Sequence, residues 1–364
     1  MSNETAAVQS AVNRASQTGS VAYLPSGMYR LTAPITASAG VTIKGDPPVM
    51  SGGVPSGGTW FHIDHSGVGF DLNNSAGYFS DVQMLDFGLY RNQPDPSVGW
   101  QPANHDYDIS IFGLTDINIT GLTLLNPTRG IKQAGGGGRI NIDNIRMQAL
   151  VQGIVIDEAY DVCRISNIHN WVFWKDHPDV HRWMLGNMKG ISLGRCDNPM
   201  LSNIFTIFAQ TGLHFYQNIY GCTSKIHLAN ADFDAGINGV WVDSTVTNGV
   251  SGQFANVTHQ GFDGSDNSIG LLVAGTSSNL SFSSIKTMFC GANGLRVDGS
   301  GNKIAVADAT VLYYDQGRKG FPGVEVAANN TMSFAQRPFI ATNGAGPQYG
   351  GSGEIRVAVS EKVN

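Results

Sequence analysis

One phrase recurs along the chain: IDNIRM at 142–147, ISNIHN at 165–170, LSNIFT at 201–206, LANADF at 228–233 and FANVTH at 254–259. A second phrase, which opens with glycine, alternates with it: GIVI at 153–156, GISL at 190–193, GLHF at 212–215, GVWV at 239–242, GLLV at 270–273, GLRV at 294–297 and GVEV at 323–326. Successive glycines are 37, 22, 27, 31, 24 and 29 residues apart. A constant unit with loops of variable length is typical of a solenoid.

Each unit alternates apolar and polar residues over a short stretch, and no long 3.6-residue periodicity separates the units. This pattern predicts short parallel strands wound as a β-helix. A closed antiparallel barrel is the alternative, but a barrel does not require the same residue at the same corner of every turn. We interpret the recurring corner asparagine as structural, because its side chain can bond exposed backbone at a turn. The row consists of Asn144, Asn167, Asn203, Asn230 and Asn256.

The composition narrows the class of ligand. Hydrophobic residues make up 41% of the 364 residues, charged residues only 14%, and the net charge is −6. A weakly charged, turn-rich surface suits neutral polar partners such as sugars. We expect no nucleic-acid partner, because binding a phosphate backbone requires a basic face. We expect no membrane insertion, because no apolar run approaches the ~20 residues of a spanning helix. Residues 1–4 lack the features of a secretory signal.

The four cysteines have no C-x-x-C spacing, so the sequence predicts no metal site and no cofactor. We expect the thiols to be buried within the repeats. Cys196 and Cys222 form the one pair that we consider for a disulfide bridge.

The first residues carry a specific resemblance. Residues 5–16 place apolar side chains at helical spacing before Gly19, and VAYLPSGMYRL at 21–31, PIT at 34–36 and GVTIKG at 40–45 follow. In that order, these segments resemble the start of pectate-lyase-like right-handed β-helix proteins, most of all bacteriophage tailspikes that degrade polysaccharides. The resemblance implies an all-β, right-handed, single-stranded parallel β-helix with an N-terminal capping helix. It also implies a homotrimer of the virion tail that acts on a bacterial surface polysaccharide, but it does not fix the reaction.

We predict three segments: a cap with the first strands at 1–45, the β-helix at 46–330, and a C-terminal cap or trimerisation segment at 331–364. The β-helix carries inserted loops, and the one at 169–185 contains three of the six tryptophans. Aromatic rings stack on the C–H faces of sugars, so this insertion is a candidate sugar clamp through Trp171 and Trp174. A contact between subunits is the alternative.

When the repeats are aligned on the corner asparagine, acidic and basic side chains of successive turns share one outward-facing column. Asp232 and Asp234 lie one strand step apart on the same side, about 6–7 Å from each other. That separation suits a pair of glycosidase carboxyls and slightly favours an inverting mechanism. Asp263, one turn later, is a further catalytic candidate.

The same alignment predicts the substrate-binding residues. Arg146, His169 and Lys286 share the outward column of Asp232. A second outward column, which follows the repeat glycine, contributes His214, Tyr216 and Trp241 as a competing site.

These residues predict hydrolysis of a capsular or O-antigen polysaccharide by the carboxylate pair. Elimination by a lyase is the enzymatic alternative, with His214 and Tyr216, or Lys286 near Arg146, as the base and its partner. A spike that binds glycan without cleaving it is the third possibility.

Overall fold

The computed structural model describes residues 2–37, 40–73, 81–342 and 344–358. Over these ranges the chain forms two helices and 32 strands, and it divides into two compact units, residues 1–191 and 192–364. The first unit contains α1 Thr5–Thr18, β1 Val21–Tyr23, β2 Gly27–Leu31, β3 Ile35–Ala37, β4 Val41–Lys44, β5 Val49–Ser51, β6 Val54–Gly57, β7 Thr59–Ile63, β8 Phe70–Asn73, β9 Val82–Leu85, β10 Gly88–Arg91, β11 Tyr107–Phe112, β12 Thr115–Thr120, β13 Thr123–Leu124, β14 Arg129–Ala134, β15 Gly138–Met147, β16 Gln152–Ile156, β17 Cys163–Asn170 and α2 Pro178–Asn187. Strand β18 Lys189–Leu193 lies at the division. The second unit continues with β19 Met200–Ile207, β20 Thr211–Phe215, β21 Ile226–Gly236, β22 Asn238–Val242, β23 Ser251–Gly261, β24 Ile269–Val273, β25 Asn279–Met288, β26 Leu295–Val297, β27 Lys303–Tyr314, β28 Val324–Val326, β29 Thr331–Phe334, β30 Phe339–Thr342, β31 Tyr349–Gly350 and β32 Glu354–Val357.

Strands of the first unit pair in parallel with strands one repeat away. Strand β12 pairs with β15 and β15 with β17, which places Ile140 beside Cys163. A second ladder joins β11, β14 and β16, with Ile131 beside Ile154. The strands of the two ladders alternate along the sequence, so the chain coils and returns to each ladder once per turn.

The second unit has the same organisation. One ladder runs β19, β21, β23, β25 and β27, and the other runs β20, β22, β24, β26 and β28. Among the named strands of the described ranges, only β5 and β6 pair antiparallel. The predicted right-handed parallel β-helix is confirmed, and the barrel alternative is wrong.

Apolar side chains of successive turns stack inside the coil. The rings of Phe254 and Phe282 lie 4.6 Å apart at an interplanar angle of 19°. Both residues are almost fully buried, and burying such a side chain contributes roughly 1.5–3 kcal/mol. Stacking turn upon turn therefore builds the core without a helical layer.

The asparagine corner has a defined backbone geometry. The five asparagines of the row adopt φ values of 51–58°, in the left-handed region that asparagine tolerates better than most residues. In the second unit the amide of Asn230 donates to Asn203 (3.2 Å), and that of Asn256 donates to Asn230 (3.0 Å). The predicted corner is therefore confirmed, while the observed partners are neighbouring asparagines.

Helix α1 is the N-terminal helix that the sequence predicts. It buries Val8, Val12 and Ala15, and it ends where Gly19 takes a left-handed φ of 63°. The buried face contacts β1, β3 and β4, so the helix covers the edge of the first strands.

The insertion after β17 contains helix α2, whereas the sequence indicated only an inserted loop. Pro178 occupies the first turn, and the Nδ1 atom of His177 accepts a hydrogen bond from the Asp179 amide (3.2 Å). The β5–β6 hairpin contacts this insertion closely. A Cβ atom at Gly53 would lie 2.2 Å from the Trp174 carbonyl oxygen, so glycine is required there.

Parallel pairing continues beyond residue 330. Strand β29 pairs with β27, and β32 pairs with β29. The segment boundaries at 45 and 330 remain predictions. All four cysteines are buried and free, so Cys196 and Cys222 are not bridged. Neither described helix is long and apolar enough to cross a membrane.

Candidate functional site

The outward column predicted from the asparagine corner exists in the second unit. Strand register places Phe205 beside Asp232, Asp232 beside Thr258, and Thr258 beside Lys286. Thr310 follows Lys286 in the next strand. Side chains of five successive turns therefore form one row on this face.

A shallow groove of about 400 Å³ lies over three of these turns. The column and the asparagine ladder form its sides. Its lining residues are Asn203, Ile204, Phe205, Asn230, Ala231, Asp232, Asn256 and Thr258. One catalytic candidate, Asp232, is thus in the groove lining.

The electrostatics of Asp232 suit an acid. Asp232 is an exposed residue of β21, but the protein around its carboxyl displaces enough water to raise its pKa, and the negative charge of Asp234 raises it further. The ammonium group of Lys286 acts in the opposite direction. The net effect is a raised pKa, so Asp232 holds its proton at higher pH than an ordinary aspartate.

The strand that carries both carboxyls is irregular at Asp234 and Ala235. Regular pairing of β21 with β23 is lost between Phe233 and Gly236, and Ala235 adopts a φ of 45°. An alanine in the left-handed region is strained, and a bulge of this kind redirects the neighbouring side chains. Strained positions cluster at functional sites, so the bulge is a second reason to consider Asp234 a functional residue.

Three other predicted residues of the second unit, Asp234, Asp263 and Lys286, lie outside the groove lining. Lys286 is an exposed residue of β25, next to Thr258 in the column. Asp263 is in an exposed turn after β23, where the Ser265 amide donates to the Phe262 carbonyl (3.0 Å). Lys286 acts on Asp232 through its charge.

In the first unit the structure brings three predicted residues together. Arg146 pairs in register with His169, and the His169 ring lies 6.0 Å from that of Trp171. Partial burial and the charge of Arg146 lower the pKa of His169. The Arg146 guanidinium also donates to the Pro48 carbonyl (3.2 Å), which connects this patch to the segment before β5.

Trp174 has a packing role in the same unit. Its ring lies 6.0 Å from that of Trp100, which is 5% exposed, and its amide donates to the buried Gln148 side chain (2.7 Å). Trp171, at 38% exposure, is the tryptophan of the insertion that solvent reaches more readily.

In the competing second column, His214 is buried, and Tyr216 and Trp241 are half-buried. His214 is 5% exposed, its Nδ1 atom lies 3.3 Å from the Ser192 hydroxyl, and its Nε2 atom lies 3.3 Å from an Asp243 carboxylate oxygen. The Trp241 and Tyr216 rings flank it at 4.8 and 5.7 Å. At 5% exposure, the His214 imidazole is poorly accessible to a polymer.

Several groove residues were not predicted as site residues. Phe205 and Thr258 appear in the outward column of the sequence, but neither is titratable. The ladder of Asn203, Asn230 and Asn256 was interpreted as structural, and it also lines the groove. Within the described part of the chain, no group of three or more potential metal ligands occurs.

Comparison with known proteins gives one local match in sequence. Residues 1–74 match the profile of a family described as rhamnogalacturonase A/epimerase, pectate lyase-like. No curated protein sequence matches the chain.

Solved structures extend the likeness to the whole fold. The chain is similar to the surface adhesin PfbA of Streptococcus pneumoniae, with a TM-score of 0.54, 14% identity, and coverage of 98% of this chain and 86% of that one. It is also similar to a GH87 α-1,3-glucanase of Streptomyces thermodiastaticus (TM-score 0.47, 14% identity, coverage 99% and 65%). A third similar structure is the mannuronan C-5 epimerase AlgE4 A-module of Azotobacter vinelandii (TM-score 0.44, 11% identity, coverage 99% and 96%). At these identities the likeness establishes the fold, and the chemistry must be argued from the groove.

Proposed function

We propose that this protein binds a polysaccharide along the groove of its second unit and hydrolyses a glycosidic bond there. The observation that carries the proposal is Asp232, a groove-lining carboxyl whose pKa is raised by the protein around it and by its neighbour Asp234. A pair of carboxyls with unequal proton affinity is the arrangement that glycoside hydrolysis needs.

The roles follow from the charges. Asp232, with the raised pKa, donates its proton to the glycosidic oxygen as the bond to the anomeric carbon breaks. Asp234 accepts a proton from water, and the water oxygen attacks the anomeric carbon. Successive outward residues of a strand lie about 6–7 Å apart, which favours direct attack by water with inversion. Each turnover consumes one water molecule and creates one new reducing end.

A non-catalytic glycan-binding protein is the second candidate function. An open groove lined mainly by amides, one hydroxyl and a phenyl ring can hold sugars without cutting them. PfbA, which shares the fold, is a surface adhesin. Elimination by a lyase is the third candidate, and it needs a base near a uronate proton, for which Lys286 is the exposed residue beside the groove.

We further propose that the protein is a bacteriophage tailspike. In this role it is a homotrimer that acts on capsule or O-antigen at the bacterial surface. It rests on the resemblance of residues 1–45. Mass determination in solution by light scattering tests the trimer, and a monomeric mass would contradict it.

The deciding experiment incubates the protein with purified bacterial polysaccharides and measures reducing ends together with the ultraviolet absorbance of unsaturated uronates. Hydrolysis gives reducing ends without that absorbance, and elimination gives both. Retention of a polysaccharide with neither signal would support the binding protein.

Variants then locate the chemistry. We expect Asp232→Asn and Asp234→Asn each to lower kcat by about 100-fold or more while binding persists. Asp266→Asn is the matched control, because it removes an exposed carboxyl of the same unit that pairs with Lys319 (2.9 Å). Loss of cleavage in Asp263→Asn, with normal cleavage in Asp232→Asn, would move the site to the turn after β23.

A further inference from the structure

The groove of the second unit has a distinct chemical character. Three asparagine amides, the Thr258 hydroxyl and the Phe205 ring line it, and its sole charged lining residue is Asp232. The amides offer both donors and acceptors, which match sugar hydroxyl and acetamido groups. A phenyl ring offers an apolar face to the C–H groups of a pyranose.

The charges beside the groove are unfavourable for an anionic sugar. The Asp234 carboxylate repels a bound carboxylate or sulfate, and Asp232 adds to that repulsion when it is ionised. Lys286 is the cation that acts on Asp232, and it lies beyond Thr258 in the column, outside the lining. A site that recognises uronates or sulfates uses cations, arginine above all, at the bound anion.

From this lining we infer that the groove takes an uncharged segment of glycan, built from neutral hexose or N-acetylhexosamine units. The inference rests on the proposed function, because it concerns the sugars that flank the cleaved bond. The amide ladder supplies positive selection through hydrogen bonds. The Asp234 carboxylate beside the groove supplies negative selection against acidic sugars by repulsion.

The ladder also fixes the orientation of the donors. Asn256 donates to Asn230 and Asn230 to Asn203, so one N–H of each donating amide is committed within the ladder. The second N–H of each of these two amides remains for a ligand. Amides held by their neighbours lose little side-chain entropy on binding, which favours neutral hydrogen-bond recognition.

The test is a printed array of purified bacterial surface polysaccharides, neutral and acidic, probed with the Asp232→Asn variant so that bound chains stay uncut. Thr258→Trp, added to this variant, fills the groove. Thr310→Trp is the matched control, because it places the same side chain in the same outward column, in a strand that does not line the groove. Circular dichroism checks that each variant is folded.

We expect the retained polysaccharides to be neutral, and their binding to fall at least tenfold with Thr258→Trp and to persist with Thr310→Trp. Retention mainly of uronate-, sialate- or sulfate-containing polysaccharides, lost with Thr258→Trp, would overturn the inference and leave the proposed groove in place. Retention of no polysaccharide, or binding indifferent to Thr258→Trp, would overturn the proposed function as well.

A second variant sharpens the electrostatic argument. Adding Asp234→Asn to Asp232→Asn removes the remaining carboxylate beside the groove, so we expect acidic polysaccharides to bind more tightly to the double variant than to Asp232→Asn. Neutral polysaccharides should bind both proteins similarly. Unchanged weak binding of acidic chains would show that repulsion is not what excludes them.

Discussion

At the scale of single residues, Lys286 and Asp234 act on Asp232 in opposite directions. The Lys286 ammonium favours the ionised form of Asp232, and the Asp234 carboxylate favours the protonated form. Because the proposed mechanism needs Asp232 protonated, activity is lost as the pH rises through the pKa of Asp232.

We therefore expect Lys286→Met to move the alkaline limb of the pH–activity profile to higher pH. Removing the cation raises the pKa of Asp232 further, so the acid stays protonated over a wider range. The profile of kcat against pH measures this shift. Lys303→Met, at an exposed lysine of β27, should leave the limb in place, and an unshifted limb in Lys286→Met would contradict the assignment of Asp232 as the acid.

A second prediction at this scale concerns the buried ion pair of Arg91 and Asp108. Both side chains are inaccessible, and the Arg91 Nε lies 2.6 Å from an Asp108 oxygen. The Arg91 guanidinium also donates to the carbonyls of His65, Gly67 and Tyr107. Arg91→Met leaves a buried carboxylate unpaired, so we expect a loss of roughly 3–5 kcal/mol in the free energy of unfolding. Urea unfolding measures it.

The control is Arg139→Met, which breaks the exposed pair with Asp116 (2.7 Å) in the same unit. Exposed pairs contribute about 0–1 kcal/mol, so this variant should unfold near the wild-type midpoint. Equal losses in the two variants would contradict a special role for burial.

At the scale of elements, one buried side chain fastens the insertion that contains α2. The Gln148 carbonyl oxygen accepts from the amides of Trp174 (2.7 Å) and Lys175 (2.9 Å), and its NH₂ group donates to the Lys175 carbonyl (2.9 Å). Gln148 is fully buried at the end of β15, so it joins the insertion to the coil.

Gln148→Leu should release this insertion. The substitution leaves three backbone groups without their partner, at about 1–3 kcal/mol for each that stays buried. Limited proteolysis between residues 171 and 177 should become faster. Asn187→Ala, which removes an exposed bond to the Trp183 carbonyl at the end of α2, is the control and should cleave at the wild-type rate. Proteolysis of Gln148→Leu at the wild-type rate would contradict the anchoring role.

Some structural elements could be predicted from the sequence, and others could not. The repeat and the outward column were predictable, because each turn repeats its own phrase and Asn203, Asn230 and Asn256 mark the register. Helix α2 was not predicted, since it is only ten residues long and its three buried residues, Val180, Met184 and Leu185, give too short a periodic pattern to distinguish a helix from a loop. The bulge at Ala235 gives no sequence signal, because alanine is not a residue that favours a left-handed backbone.

In the second outward column, the row of residues could be predicted from the sequence, but the burial of His214 could not. His214, Tyr216 and Trp241 alternate as an outward row should, but alternation says which side of a strand a residue faces, not what covers that side. Burial of His214 and its bonds to Ser192 and Asp243 arise from neighbouring turns. The carboxyl pair, in contrast, could be predicted from the sequence, because Asp232 and Asp234 occupy adjacent outward positions of one strand.

At the scale of the whole molecule, one interior histidine links stability to pH. His259 of β23 is fully buried between Phe233 and Thr287 of the neighbouring strands, and its Nδ1–H donates to the Phe233 carbonyl (3.0 Å). Burial lowers its pKa from 6.5 to about 4, because the charged form is poorly solvated inside the coil. The folded state therefore holds His259 neutral where the unfolded chain would already protonate it.

The sign of the effect follows from linkage. Above pH 6.5 both states are neutral at this site, and stability is unaffected by its titration. As the pH falls from 6.5 towards 4, the unfolded state gains a proton that the folded state does not bind, so stability falls, by about 3 kcal/mol in total for this group. Urea unfolding at a series of pH values should show this slope in the wild type and a smaller slope in His259→Gln. His227→Gln, at an exposed histidine of β21, is the matched control, and an equal slope in wild type and His259→Gln would mean that other groups set the acid stability of the β-helix.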